Sequence, residues 1–355
     1  MLKLFMKDYH AIGVMSGTSL DGVDIVYCSF SFLENWNFSI HFAECIAYDK
    51  FWTDKLNTAH KLSGYELILL HNEYGNFLGK IINTFIKNNK IEKVDCVASH
   101  GHTIFHQPES KITFQLGAGS SIAATTKQKV VSDFRDLDVQ LSGQGAPLVP
   151  FGDRWLFYDY DYCLNLGGIA NISYEKNKTR IGGDITFANM ASNYLCSFEN
   201  KLFDENGNSA AKGKVNIELL KQLNTLPFLQ LSLPKSLGKE DFDNWFKPVL
   251  DQSTISISDK LATLTTHLGK CISDIVSTGE TVLITGGGAH NTHWVKSFKN
   301  DFSINCILPN TQIIDYKEAL IFAFLGILRI ENKPNIYKSV TGANKDSIGG
   351  VIHNG

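Results

Sequence analysis

The chain has 355 residues, 43% of them hydrophobic, which is enough for two domains with separate cores. A net charge of −3 and scattered basic residues give no electrostatic reason to expect nucleic acid or an anionic membrane as partner. Seven dispersed cysteines without a Cys-x-x-Cys pair, an N-terminus charged from its third residue and no bilayer-length apolar run predict a cytoplasmic protein with free thiols.

In chain order, β-rich runs at Ala11–Met15, Val23–Phe30 and Phe38–Tyr48 predict three strands, the first two joined by the Ser16–Gly22 turn. From Tyr65 to Asn88 the spacing becomes helical, with Leu67, Leu70, Tyr74, Phe77, Leu78, Ile81 and Phe85 on one stripe. Strands are expected at Val94–Ser99 and Ile112–Leu116. A short helix is expected at Ser120–Lys127, capped by Ser120 or Ser121, and then Val130–Val131 leads into the acidic turn Ser132–Asp136. The non-periodic stretch Leu141–Pro150, with two glycines and two prolines, predicts an inter-domain crossing. Beyond it come strands at Tyr162–Leu166 and Ile169–Tyr174, then helices at Phe187–Phe198, Ile217–Gln222, Asp241–Leu250 and Ser258–Ser277. A strand at Thr281–Thr285, a helix at His293–Asn300, a strand at Ile304–Leu308 and an apolar helix at Lys317–Ile330 complete the chain. Both halves repeat one order of strands, glycine turn, strands, helix and strand without detectable sequence identity. Open α/β domains with mixed sheets are the class this implies.

Three glycine turns carry the chemistry. The first, Gly13 to Asp24, adds the hydroxyls of Ser16, Thr18 and Ser19, all able to bond phosphate oxygens, but lacks the Gly-Lys-Ser/Thr ending of a Walker A loop. Bare glycine backbone lets N–H groups approach phosphates, so Gly17, Thr18, Ser19, Leu20, Asp21, Gly22, Val23 and Asp24 are the first candidate nucleotide segment. Asp21 and Asp24 stand where a carboxylate could hold Mg²⁺ through water or orient a substrate hydroxyl; taken alone, either is more often a turn or hairpin-flank residue. The second turn holds Asn165, Gly167 and Gly168, and the third Gly286, Gly287 and Gly288. Together they predict phosphoryl transfer. Arg135 is a candidate substrate contact, since a guanidinium suits a carboxylate or developing phosphate charge; a salt bridge with Asp133 or Asp136 is the alternative. His100, His102 and His106 cluster without further ligands at metal spacing.

The run Val14-Met15-Ser16-Gly17-Thr18-Ser19-Leu20-Asp21-Gly22-Val23-Asp24 resembles the opening signature of the anhydro-N-acetylmuramic acid kinases. The likeness continues through Ser99–Thr103, Asp133–Arg135, Gly143–Pro150, Asn165–Asn171, Pro234–Ser236, Gly286–Ala289 and Ser339–Ala343, nearly the whole chain in order. It implies a two-domain actin-like ATPase fold, of the ribonuclease H-like kind, with ATP in an inter-domain cleft. The expected domains are 1–135 plus about 335–355, and 136–334. The implied activity, part of peptidoglycan recycling, converts 1,6-anhydro-N-acetylmuramic acid to N-acetylmuramic acid 6-phosphate. Water opens the 1,6-ether and the freed O6 takes the γ-phosphoryl group of Mg-ATP.

By the same resemblance Asp184 is the catalytic base, and Asn189 is kept beside it in Gly182-Gly183-Asp184-Ile185-Thr186-Phe187-Ala188-Asn189. A helix beginning near Phe187 would put the Asp184 carboxylate at a helix N-terminus and keep it ionised. The family's Gly-Pro has become Thr186-Phe187, which makes a different anhydro- or amino sugar an alternative substrate, and His102 stands where the family commonly has Gln. The resemblance further implies that His100 lies on the sugar-facing wall, that Glu318, opening the last helix, is a sugar ligand, and that Gly286–Gly288 is the adenosine-side loop. Apart from the resemblance, Lys235 and Lys239 lie in a Pro-Lys-Ser loop that could edge the cleft, though surface lysines are usually just solvated. A homodimer is the family's expected assembly. A nucleotide-dependent switch ATPase on the same fold is the remaining alternative.

Overall fold

The computed structural model describes residues 7–17 and 20–355. They form two compact units. One is built from the chain up to Leu156 together with Tyr316–Gly355, the other from Phe157–Asp315. The Leu141–Pro150 stretch therefore lies inside the first unit, and residues 136–156 and 316–334 belong to it instead of the second. The α/β class with mixed sheets holds for both.

In the first unit, β1 (Asp8–Ser16), β2 (Gly22–Phe32) and β3 (Trp36–Ala47) form an antiparallel meander. The helix Gly64–Asn88 then returns the chain to β4 (Cys96–Ser99), parallel to β1, since a parallel pair needs a crossover. Its start is a capping box: the Ser63 hydroxyl accepts from the Glu66 N–H, and the Glu66 carboxylate accepts from the Ser63 N–H. Of the predicted stripe, Leu70, Tyr74, Leu78 and Phe85 are fully inside the core, with Ile12, Val23, Ile25 and Val97.

A hairpin of β5 (His102–Gln107) and β6 (Ile112–Leu116) follows, its first strand unforeseen from sequence. The next helix is Gly119–Thr126; Ala118 is its N-cap, so neither Ser120 nor Ser121 caps it. β7 (Val130–Ser132) pairs parallel to β4 and antiparallel to the C-terminal strand Val351–His353. The sheet runs Val351–His353, β7, β4, β1, β2, β3.

The second unit repeats the plan. β8 (Tyr162–Leu166), β9 (Ile169–Lys176) and β10 (Thr179–Phe187) make the meander, and β11 (Thr281–Thr285) and β12 (Asn305–Ile307) add in parallel, in the order β10, β9, β8, β11, β12. Counted within each unit, the second sheet reads 3-2-1-4-5, and the first reads 3-2-1-4-7 with the C-terminal strand Val351–His353 beyond β7.

Two helix starts differ from expectation. Phe187 ends β10, and the helix is Asn189–Ser197. The last apolar helix is Thr311–Ile330, so Glu318 lies in its second turn and does not open it. Among the described residues no helix is long and apolar enough to cross a membrane.

Candidate active site

In the first unit the β1–β2 turn is fixed from below. Ser16 is 1% exposed. Its hydroxyl bonds Tyr48 at 2.7 Å, Tyr74 at 2.9 Å and His102 Nδ1 at 3.2 Å, and Tyr48 and Tyr74 bond each other. Ser16 is thus a buttress, and the expectation that its hydroxyl faces phosphate is corrected. His102, pushed down to about 4 by burial, is the neutral partner in this cluster, and the backbone of Gly17 also bonds it.

Val23 is a core residue, so only its backbone is left to serve a ligand. Gly22 has a packing reason: a Cβ there would meet the Ile46 carbonyl oxygen at 2.5 Å. Leu20 is held at φ 61°, in the left-handed region. Asp21 is exposed, and its carbonyl accepts from the Tyr48 N–H at 3.3 Å. Asp24 is half-buried in β2 opposite Met15. Thr18 and Ser19 lie outside the described residues.

His100 and Arg135 meet at the ends of β4 and β7. The Arg135 Nε–H donates to His100 Nε2 at 2.9 Å, and an Arg135 Nη donates to the Gly145 carbonyl at 2.6 Å. Nε2 being the acceptor, the His100 proton sits on Nδ1, which donates to the Gly101 carbonyl at 2.8 Å. Burial and the adjacent guanidinium hold His100 well below the usual histidine range. Arg135 is anchored by His100 and Gly145, not by Asp133 or Asp136.

Burial raises the Glu318 carboxyl; Lys317 and Arg135 oppose this, while Asp24 and Asp153 add to it. Arg135, Glu318 and Asp24 thus belong to one charge cluster. Lys317 and Asp153 form its buried ion pair at 3.0 Å, 2% and 3% exposed. Among the described residues no three His, Cys, Asp or Glu side chains converge as a metal cage.

In the second unit the Gly167–Gly168 turn caps the helix Asn189–Ser197. The Gly168 carbonyl accepts from the N–H groups of Ala188 and Met190, at 2.9 and 3.0 Å, and the Gly167 carbonyl from Asn189 at 3.1 Å. The Asn189 side chain donates to the Leu166 carbonyl at 3.0 Å. A Cβ on Gly167 or Gly168 would come no nearer than 3.4 Å to any neighbour. Nothing in the unit's own packing requires glycine at these two positions, and the turn presents bare backbone. Gly286 is different: its φ is 80°, and a Cβ would meet Asn165 Oδ1 at 2.6 Å. Gly287 and Asn189, with Phe203, Asn206, His290 and Asn291, line a cavity of about 500 Å³.

Asp184 sits on edge strand β10, whose register shifts between Asp184 and Thr186. A distant segment clamps it. The Asp184 N–H donates to the Lys235 carbonyl at 2.8 Å, and the Leu237 N–H donates to Asp184 Oδ2 at 2.8 Å. Burial raises the carboxyl to about 6 against the lowering effects of Leu237, the Ser236 hydroxyl and Lys235. This corrects the helix-terminus expectation: the donor is a loop N–H, and burial outweighs it. Sequence reasoning missed Ser236 and Leu237; Pro234-Lys235-Ser236 was the available signal.

Thr186 and Phe187 are each 2% exposed. Phe187 packs on Phe242, Trp245 and Phe246, and Thr186 bonds His267 at 2.9 Å. The Gly-Pro departure is thus absorbed by the second unit's interior, which removes the structural ground for a different sugar.

The family model described as anhydro-N-acetylmuramic acid kinase matches residues 9–355. A protein of that name from Haemophilus influenzae is 33% identical over 98% of this chain and 98% of its own. The Coxiella burnetii protein of the same name is 32% identical over 96% of both. Among solved structures, the ligand-bound xylulose kinase from Lactobacillus acidophilus aligns with a TM-score of 0.44 and 11% identity, covering 90% of this chain and 89% of that one.

Proposed function

The chain belongs to the anhydro-N-acetylmuramic acid kinase family, and from that premise we propose how its two units divide the reaction. It is a sugar kinase that uses ATP to open 1,6-anhydro-N-acetylmuramic acid and phosphorylate O6. A water oxygen bonds C1, the C1–O6 bond breaks, O6 bonds the γ-phosphorus, and ADP leaves. Asp184 takes the water's proton. The observation that carries this role is its clamp: a carboxylate raised to about 6 is basic enough to accept a proton yet ionised at neutral pH, and the Leu237 N–H fixes its orientation.

The first unit supplies the sugar side. His100, Arg135, Glu318 and Asp21 bind the substrate, the guanidinium answering the lactyl carboxylate. Asn189 serves the sugar from the second unit. The nucleotide lies against two sets of backbone. Gly17–Asp24 in the first unit is one candidate phosphate cradle and Asn165, Gly167 and Gly168 in the second are another, while Gly286–Gly288 and the 500 Å³ cavity take the nucleoside. Mg²⁺ suits the Asp24 carboxylate, since Asp24 and Glu318 add like charge to one cluster that a cation relieves, with the exposed Asp21 three residues before it as a second oxygen donor. Bound there through water, it would neutralise β- and γ-phosphate charge. The reaction belongs to the cytoplasm, which holds ATP and keeps the seven cysteines reduced, and the chain works as a homodimer.

Incubation with ATP and the anhydro sugar, read by mass spectrometry, tests the activity; absence of a 6-phosphate product across a range of enzyme concentrations rejects it. Asp184→Asn should lose turnover while ATP binding persists.

A further inference from the structure

A second cavity, of about 630 Å³, opens in the second unit between β9, β10, the helix Ile257–Ser273 and the segment leading to Lys235. Its walls are unequal. Lys176, Lys235 and Lys270 face it with a single acid, Asp274, which Lys270 bonds at 2.6 Å. Ile181, Ile185 and Leu233 supply the apolar side, and Tyr174 an aromatic face. Such a lining suits a small molecule with an anionic end and a body that is partly C–H. A phosphate monoester would meet Lys176 and add a counter-charge for Lys235, whose ammonium donates to the Phe228 carbonyl at 2.9 Å, and for Lys270, and a sugar ring lays its C–H face on a tyrosine.

Two of the lining residues connect by hydrogen bonds to the strand that presents Asp184, one directly and one through two bonds. The first is Lys235, whose carbonyl takes the Asp184 N–H at 2.8 Å and whose chain continues to the Leu237 N–H on the carboxylate. The second is Asn224. Its Oδ1 lies 2.7 Å from His267 Nδ1, and His267 Nε2 lies 2.9 Å from Thr186 Oγ1. His267 is wholly buried and, at about 4, neutral. With Nδ1–H donating to Asn224, Nε2 accepts the Thr186 hydroxyl proton, so the chain of bonds has one direction. Thr186 closes the bulge that begins at Asp184.

We propose that this cavity is an effector site for a sugar phosphate, and that filling it changes how the Lys235–Leu237 segment and the Thr186 bulge hold Asp184. The proposal rests on Asp184 being the base. A ligand held by Lys176 that also contacts Lys235 and the Asn224 side chain acts on both connections together, and its effect equals its differential affinity for the two settings of the clamp.

Isothermal titration calorimetry with N-acetylglucosamine 6-phosphate tests it. The full chain is first saturated with a non-hydrolysable ATP analogue and the anhydro sugar, so that the reaction site is filled. One further site is expected, weakened at least tenfold by the double substitution Lys176→Ala/Lys270→Ala, both lysines being exposed. In turnover assays at saturating substrates the same probe should change kcat at least twofold in the native chain and not in the double variant. No binding to the saturated protein, or equal binding by the double variant, overturns the site. Equal affinity for inorganic phosphate overturns the sugar phosphate class, and binding without a change in kcat overturns the coupling. A failure of Asp184 as base is read separately, as turnover retained by Asp184→Asn.

Discussion

His100 accepts the Arg135 Nε–H on Nε2 at 2.9 Å, and that one bond decides where the imidazole proton lies. Since burial and the guanidinium both push His100 well below the usual range, it stays neutral throughout the working pH. Arg135→Lys removes the planar fork that bonds His100 and the Gly145 carbonyl together. The expected outcome is a rise in KM for the sugar of about tenfold or more, with KM for ATP nearly unchanged, since a charged hydrogen bond contributes about 1.5–3 kcal/mol. Steady-state kinetics with each substrate varied in turn checks it. An unchanged sugar KM would remove Arg135 from the sugar side.

The pH dependence of turnover should carry one acidic limb. Asp184 must be ionised to accept a proton, and burial raises it to about 6. Its kcat/KM should therefore be level above about pH 7 and fall by about tenfold per unit below about 6. His100→Asn, although weakened, should keep that limb, because His100 does not titrate there. A limb that disappears in His100→Asn would reassign it.

The same carboxyl links folding to pH. Its folded value, about 6, lies above the ordinary 3.8, so between about pH 4 and 6 the native state binds more protons than the unfolded chain. Stability must then fall as pH rises through that window, and the loss is complete above it. Asp184→Asn removes the buried charge. It should be more stable than the native chain at pH 8 by about 1–3 kcal/mol, with the difference shrinking toward zero near pH 4. Thermal unfolding of both proteins across that range measures it.

The two sheets were legible because their strands are β-rich runs broken by turns, and the long helix Gly64–Asn88 because its stripe and its Ser63–Glu66 box are local. The errors have local causes too. The apolar run that begins after Glu318 marks the last helix from Lys317, six residues past its true start, which is set by Asn310, whose side chain accepts the Ile313 N–H at 3.0 Å. Phe187 looked like a helix start because periodicity cannot mark a bulge, and the bulge at Asp184/Thr186 turns the strand's last residues inward. The clamp on Asp184 lies some fifty positions along the chain, beyond the reach of any spacing rule. Residue type also could not show that the Ser16 hydroxyl points at two tyrosines.

Because Phe187 fills the space among Phe242, Trp245 and Phe246, its replacement should act on folding and not on sugar choice. Phe187→Ala is expected to cost about 3–5 kcal/mol, the usual penalty for truncating a buried aromatic. Phe187→Leu should cost less and leave the ranking of sugar substrates as in the native chain. Unfolding in denaturant, beside kcat/KM for the anhydro sugar and a second amino sugar, separates the two effects. A changed sugar ranking in a stable Phe187→Leu protein would show that the residue reaches the substrate.

The Lys317–Asp153 pair offers a test of the scaffold behind Glu318. At 2% and 3% exposure neither charge is solvated, so removing one leaves the other buried in a low dielectric without this counter-charge. Lys317→Met alone should destabilise by about 3–5 kcal/mol, whereas Lys317→Met combined with Asp153→Leu should recover much of that loss, since no lone charge remains. Activity should not recover in step. Lys317 opposes the burial that raises Glu318 more than Asp153 adds to it, so with both removed Glu318 still binds its proton more readily, and the double variant should show a raised sugar KM despite restored stability. Denaturant titrations on the two single variants and the double one, paired with sugar KM measurements, give the double-mutant cycle that decides between a purely structural pair and one that also keeps Glu318 charged.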